Sequence, residues 1–187
     1  DAAALTAILA AAPSAAGSIT FAASPADPRA FPDAAKLIGA HPVYDFTASY
    51  QDSKGKPVRI PVNFPAGSAT IALNYAPAAA EVTGSLFMVY VDEQGAVTWL
   101  DKSRCSAGKV LAEVPHFSTY GVACKPVPAF ADISGHWAKD DVAFVAARGL
   151  LTGTGNKVFS PDGAMTRGMF VTALGRLAGI NPENYQS

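Results

Sequence analysis

Charge is scarce in this chain. Of its 187 residues only 16% are Asp, Glu, Lys or Arg, where about 25% is usual for a soluble domain. Lys and Arg together number 14 against 15 for Asp and Glu, so the net charge of −1 leaves no basic stripe for a nucleic-acid backbone. No block of like charge occurs, which excludes a polybasic membrane-surface patch. Long apolar runs are missing too. The Ala-rich stretch 1–12 has no basic flank and falls short of the roughly 20 residues that a membrane span needs. No other stretch qualifies, and if the protein is exported its signal lies outside this sequence. Cysteine is nearly absent: Cys105 and Cys124 are too few for a disulfide scaffold and lack metal-ligand spacing.

The residues of catalysis are equally sparse. His41, His116 and His136 have no metal-binding partner three or four positions on. His116 reads as a turn or edge residue before a strand. No Gly-x-Ser-x-Gly elbow occurs, and neither Cys has an adjacent base. Asp140-Asp141 falls at a helix start, where acids offset the helix dipole. Glycosidases use two carboxylates, but nothing here singles out a pair. The expectation is a non-enzymatic chain with no catalytic residue, cofactor or metal.

What is present is β patterning followed by helical patterning. The hydrophobic fraction of 50% is swollen by Ala, so the core must come from 10 Phe, 6 Tyr, 2 Trp and scattered aliphatics. Over residues 18–124, Ile19, Phe21 and Ala23 alternate with polar or small neighbours, as do Tyr44, Phe46, Ala48 and Tyr50, and then Ile71, Leu73 and Tyr75. A period of two means one buried face and one wet face. Leu86-Phe87-Met88-Val89-Tyr90-Val91 is apolar on both faces and predicts a central strand. Asp92-Glu93-Gln94-Gly95 supplies turn chemistry after it. About seven or eight short strands separated by turn signals predict a β-sandwich. Ahead of it, Leu5, Ile8 and Leu9 share a face of a short helix that Pro13 and Gly17 end. If strands at 96–101, 109–114 and 118–124 form a meander, Cys105 and Cys124 lie at the same end. A bridge worth up to about 3 kcal/mol is then one reading and two thiols the other.

Lys125-Pro126-Val127-Pro128 reads as a stiff linker. Beyond it the period becomes helical. Ala138, Val142 and Val145 share a face that Trp137 and Phe144 widen, and Gly149 stops the helix. A Gly- and Pro-bearing loop leads to a second helix from Thr166. Its apolar face is Met169, Phe170, Ala173, Leu174 and Leu177, and Gly179 ends it. One such unit of about fifty residues is too small to bury its own face. The expected organisation is therefore a β-sandwich module with an N-terminal helix at 1–125, a linker at 126–129, and a small all-α helix–loop–helix unit at 130–187.

Phe130-Ala131-Asp132-Ile133-Ser134-Gly135-His136-Trp137-Ala138, Gly149-Leu150-Leu151-Thr152-Gly153, Phe159-Ser160-Pro161-Asp162 and Met165-Thr166-Arg167 resemble, in order and spacing, an S-layer homology repeat. The resemblance implies a bacterial surface protein held non-covalently to a secondary cell-wall polysaccharide, often one carrying pyruvate ketals. Such repeats usually come in threes. Asn181-Pro182-Glu183-Asn184-Tyr185 looks like the lead-in to a next one, which implies that the chain is a fragment and that further repeats, in the same protein or a neighbouring chain, are its partners. His116-Phe117-Ser118-Thr119-Tyr120 and the Pro42-Val43-Tyr44-Asp45-Phe46 strand resemble sandwich modules that precede these repeats in Gram-positive surface proteins. The implied location is extracellular, at the cell wall.

By the same resemblance, Asp132, Trp137, Gly153 and Arg167 lie in or beside the glycan groove. Arg167 offers a planar donor fork for a carboxylate, in a first helical turn whose unpaired amides also favour an anion. Thr152-Gly153-Thr154-Gly155 can bring backbone amides close to a ligand. Trp137 offers an apolar face. Each has a plainer reading: Trp137 as core between the helices, Asp132 as a helix or turn cap, Gly153 as a turn former. The family's Thr-Arg-Ala-Glu is here Thr166-Arg167-Gly168-Met169. Met169 cannot close a reciprocal capping box, and Gly168 weakens the first turn by roughly 1 kcal/mol against Ala. That predicts a looser helix start. Two further readings remain: an accessory part of a polysaccharide hydrolase whose catalytic domain lies elsewhere, and a sandwich that itself binds carbohydrate.

Overall fold

The period-two segments fold as strands. In the computed structural model, residues 1–14, 16–30, 32–79 and 81–180 are described; the lead-in 181–185 lies outside them. The chain divides into two compact units, 1–76 with 86–124 and 77–85 with 125–187. The segment 77–85 thus belongs with the C-terminal unit although it interrupts the first in sequence.

The first unit is mostly β. One sheet has the order β1 (Ile19–Pro25), β2 (Val43–Gln51), β9 (Thr119–Cys124), β5 (Leu86–Val91), β6 (Val97–Leu100), with β3 (Pro57–Arg59) also paired to β2. A second sheet has the order β4 (Thr70–Asn74), β8 (Lys109–Glu113), β7 (Arg104–Ser106). Every pairing is antiparallel. One core draws side chains from both sheets: Ala48, Leu86, Met88, Tyr120 and Val122 from the first, and Ile71, Leu73, Val110 and Ala112 from the second. β5 is interior, as its unbroken apolar run predicts, with β9 on one side and β6 on the other. The Asp92 turn forms as its chemistry dictates. The carboxylate accepts from the amides of Gln94 (2.9 Å) and Ala96 (2.7 Å), and Gly95 takes φ +83°.

Three expectations need correction here. The three late strands are not a meander, because β6 and β9 belong to one sheet and β8 to the other; β6 pairs with β5 and β8 with β7 and β4, while β9 inserts between β2 and β5. Cys105 and Cys124 nevertheless pack, half-buried, against the same core. The N-terminal helix α1 (Ala2–Ala11) forms, capped by the Asp1 carboxylate on the amides of Ala3 and Ala4, but it buries Ala4 and Ile8. Leu5 and Leu9 stay 49% and 58% exposed, since small Ala side chains let that stripe approach the sheet closely. β1 is an edge strand without a buried residue, so Phe21 is exposed despite its alternation.

A second short helix, α2 (Pro32–Ile38), went unrecognised in the pattern. It starts with Pro, which suits a first helical position, and it ends at Gly39 with φ +61°. Its Ala34 and Ile38 are fully buried against Val43, Val89 and Ala123. That cluster is why β5 is apolar on both faces.

The second unit contains α3 (Lys139–Ala147) and α4 (Arg167–Leu177). α3 buries Val142, Ala143 and Ala147, and Gly149 follows it in the left-handed region with φ +66°. Residues 83–85 form a 3-10 turn that seats directly on α3. The approach is so close that a Cβ on Gly84 would stand 2.1 Å from the Asp140 carbonyl and 2.5 Å from the Phe144 amide nitrogen. Arg148 Nη1 donates to the Gly84 carbonyl (2.9 Å) and Thr83 Oγ1 to Asp140 Oδ2 (2.9 Å). α4 has no buried residue.

Candidate functional site

The loop between the two helices is shaped by unfavourable backbone conformations. Asn156, Lys157 and Ser160 have φ of +51°, +58° and +62°, and Gly153 and Gly155 have +80° and +110°. Left-handed backbone at three non-glycine residues costs of order 1 kcal/mol or more each, so something must offset it. Asp132 does. Its Oδ1 accepts from the Phe159 amide (3.0 Å) and its Oδ2 from the Ser160 amide (2.7 Å). The Phe159 amide is the main cause that holds this carboxyl below its ordinary range, with smaller help from the Ser160 amide and His136. The Asp132 carboxylate is spent on neither a helix cap nor a turn of its own segment; it pins the loop 27 and 28 residues further on. The Ala131 amide donates to the Lys157 carbonyl (2.8 Å), and the Phe130 and Phe159 rings meet edge to face at 5.2 Å.

Gly153 sits inside this knot. A Cβ there would lie 2.7 Å from the Val158 carbonyl and 2.9 Å from Phe130, so both its φ and its lack of a side chain are required. It lines a groove of about 300 Å³ with Thr152, Thr154, Ser160, Met165, Met169 and Arg176. Among the described residues, Arg176, in the last turn of α4, is the one charged side chain of that groove's lining. Its Nη1 donates to the Leu150 carbonyl at 3.1 Å.

Trp137 is not core. It is 86% exposed, with its ring 5.5 Å from that of His136. His136 makes the link that fixes the start of α3. Its Nδ1 accepts from the Ala138 amide (3.1 Å), which leaves the proton on Nε2 to donate to Asp162 Oδ1 (3.3 Å). Arg167 opens α4. Thr166 caps that helix by accepting from the Met169 amide at 3.2 Å, so half of the capping box survives the loss of Glu. Met169 is exposed rather than packed. Among the described residues the Arg167 guanidinium has no hydrogen bond or ion pair, and it is exposed. Asp132 and Gly153 are thus brought to one loop, whereas Trp137 and Arg167 stand outside the groove lining.

The S-layer homology domain model matches residues 129–168. This segment is an S-layer homology domain. Domains of this family anchor proteins to cell-wall polysaccharide and are not catalytic, and the chain accordingly belongs at the cell surface. It is also 32% identical over 84 residues to an amylopullulanase of Thermoanaerobacterium thermosulfurigenes, covering 45% of this chain. It is 31% identical over 97 residues, 49% of the chain, to an endo-1,4-beta-xylanase A of Thermoanaerobacterium saccharolyticum. The matched stretches are 4% and 8% of the lengths of those two proteins. No solved structure matches. Among the described residues, no helix is long and apolar enough to cross a membrane.

Proposed function

We propose that the chain is a wall-anchoring piece of a bacterial surface protein. Its S-layer homology domain engages an acidic, pyruvylated cell-wall glycan, and its β unit is a two-sheet sandwich that serves as spacer or interaction module. The observation that carries this reading is the exposed guanidinium of Arg167 in the first turn of α4, unpartnered among the described residues, within a segment that matches the family model. A ketal carboxylate is matched by that planar fork and by the first-turn amides. Arg176 as the lone charge of the neighbouring groove supports the same sign of ligand. Asp132 and Gly153 serve the site by holding the loop in shape, and Trp137 offers its exposed ring to a sugar face. The bare face of α4 is taken up by further repeats of the same kind.

The test is a pulldown of purified, pyruvylated wall polymer. Wild type is retained, and Arg167→Ala cuts capture by about tenfold, the loss of one charge-assisted fork. Equal capture by the two, or capture indifferent to removal of the ketals, overturns the site. A second reading, that the piece belongs to a polysaccharide hydrolase with its catalytic domain elsewhere, is favoured by the names of the two relatives. The full-length sequence decides between the two readings, because a hydrolase domain upstream makes the anchor an accessory.

A further inference from the structure

A concavity of the first unit has the opposite chemistry to the groove beside α4. It holds about 750 Å³ and is walled by Asp45, Arg59, Tyr90, Asp92, Glu93 and His116, among others. The volume falls in the range of ligand sites, about 300–1,000 Å³. Its floor is aromatic. The His116 ring stands edge-on to Tyr90 at 4.9 Å, and Tyr90 stacks obliquely on the buried Tyr120 at 5.7 Å. Tyr120 locks the floor by donating its hydroxyl to the His116 carbonyl at 2.8 Å. Arg59 is committed to the wall: its Nη2 donates to Asp45 Oδ1, to the Phe46 carbonyl and to the Phe117 carbonyl at 3.2–3.3 Å.

Two floor residues have polar atoms with nothing to bind. Among the described residues the Tyr90 hydroxyl and the His116 ring nitrogens make no hydrogen bond, and no buried side-chain N or O is left unsatisfied. These atoms are therefore open to solvent, and both residues line the groove. Around them stand three carboxylates against the single guanidinium of Arg59. Ionised carboxylates only accept hydrogen bonds, so the occupant must be rich in donors. The same charge balance repels an anion. Aromatic rings, carboxylate acceptors and a phenol that both donates and accepts, all in one lining, are the requirements of a polyhydroxylated ring.

We propose that this groove binds a neutral saccharide chain, with Tyr90 and His116 as its aromatic contacts and Asp45, Asp92 and Glu93 as acceptors for sugar hydroxyls. The site is separate from the wall-anchoring site and does not rest on it. Calorimetric titration of the full chain with neutral hexaoses of glucose, xylose and N-acetylglucosamine tests it. None of these carries an acidic group, so the outcome is independent of whether wall polymer is captured. One hexaose binds wild type, and His116→Ala and Tyr90→Phe each weaken it by roughly fivefold or more, one hydrogen bond's worth. Tyr90→Phe keeps the packed ring, so a loss there is not misfolding, and an unchanged melting transition confirms it. No heat from any hexaose at about 10 mM, or equal affinity in wild type and both variants, overturns the proposal.

Discussion

The two units finish their apolar surfaces differently. The β unit buries both faces of its central strands, one against the second sheet and the other against α2. The S-layer homology unit closes around α3 but leaves α4 without a buried residue. Met165, Met169, Phe170, Val171, Leu174, Leu177 and Ile180 are all 41–65% exposed. Exposed apolar side chains in that number, on and beside one helix, mark an interaction surface rather than chance exposure. The β unit covers its central strands from both sides, whereas the helical unit leaves one helix bare, the pattern of a repeat that buries its face only against neighbours. Their grooves differ in parallel: the one beside α4 has a lone cation, the other an excess of carboxylates.

The sharpest way to break the comparison is at Gly84. Its Cβ position is occupied by α3 backbone, and backbone cannot swing aside as a side chain can. Gly84→Ala should cost the helical unit about 3 kcal/mol or more. Hydrogen exchange checks it: protection of the Val142 and Ala143 amides collapses, and that of Val89 and Val122 persists. Loss of protection in both units together would show that the units do not behave separately. In the β unit, Leu86→Ala removes a fully buried side chain and should cost about 3 kcal/mol in a denaturant titration. A loss below about 1 kcal/mol would mean that the core collapses around the void.

An intermediate effect is expected in acid. The Asp132 carboxyl titrates below its unfolded value because of the Phe159 and Ser160 amides. A lowered folded pKa contributes stability that is present above the unfolded value of about 3.9 and is lost as pH falls through the folded pKa. The loop with its left-handed residues should therefore loosen below about pH 4, read as faster exchange at the Phe159 and Ser160 amides. Asp132→Ala should show that faster exchange already at neutral pH. Acid sensitivity that survives Asp132→Ala would place the cause elsewhere.

Much of this was legible in the residues because the signals were local. Period-two runs set β2 and β4, an unbroken apolar run set β5, Asp92 to Gly95 set a turn, and Gly149 and Gly179 set helix ends. The motif order from Phe130 to Arg167 gave the family outright. What stayed hidden depends on distance in sequence. The seven residues of α2 are too few to show a period. The role of Gly84 exists only when α3, more than fifty residues later, is laid on it. Leu5 and Leu9 outrank Ala4 in hydrophobicity, yet the sheet selects the face that can approach closest. Trp137 reads as core by type, but its place just ahead of α3 turns it outward. The groove of the β unit joins residues from β2, β3, β5 and the 116–119 segment, a set no linear pattern announces.

The smallest expected effect bears most directly on the array. Leu174 is 47% exposed on α4, so its truncation removes little burial. Leu174→Ala should change the stability of this chain by no more than about 0.5 kcal/mol, the usual range for surface substitutions. If the apolar stripe is a seat for neighbouring repeats, that indifference is conditional. In a longer protein that carries the following repeats, the same change should cost about 2 kcal/mol or more, because the leucine is then a core residue. Thermal melts of the two lengths, each with and without the substitution, measure the difference. A cost equally small in both would mean that the neighbours pack elsewhere and that the bare stripe faces something other than its own kind. A large cost in the short chain alone would mean that two copies already cover the stripe for each other, and sedimentation would then find a dimer.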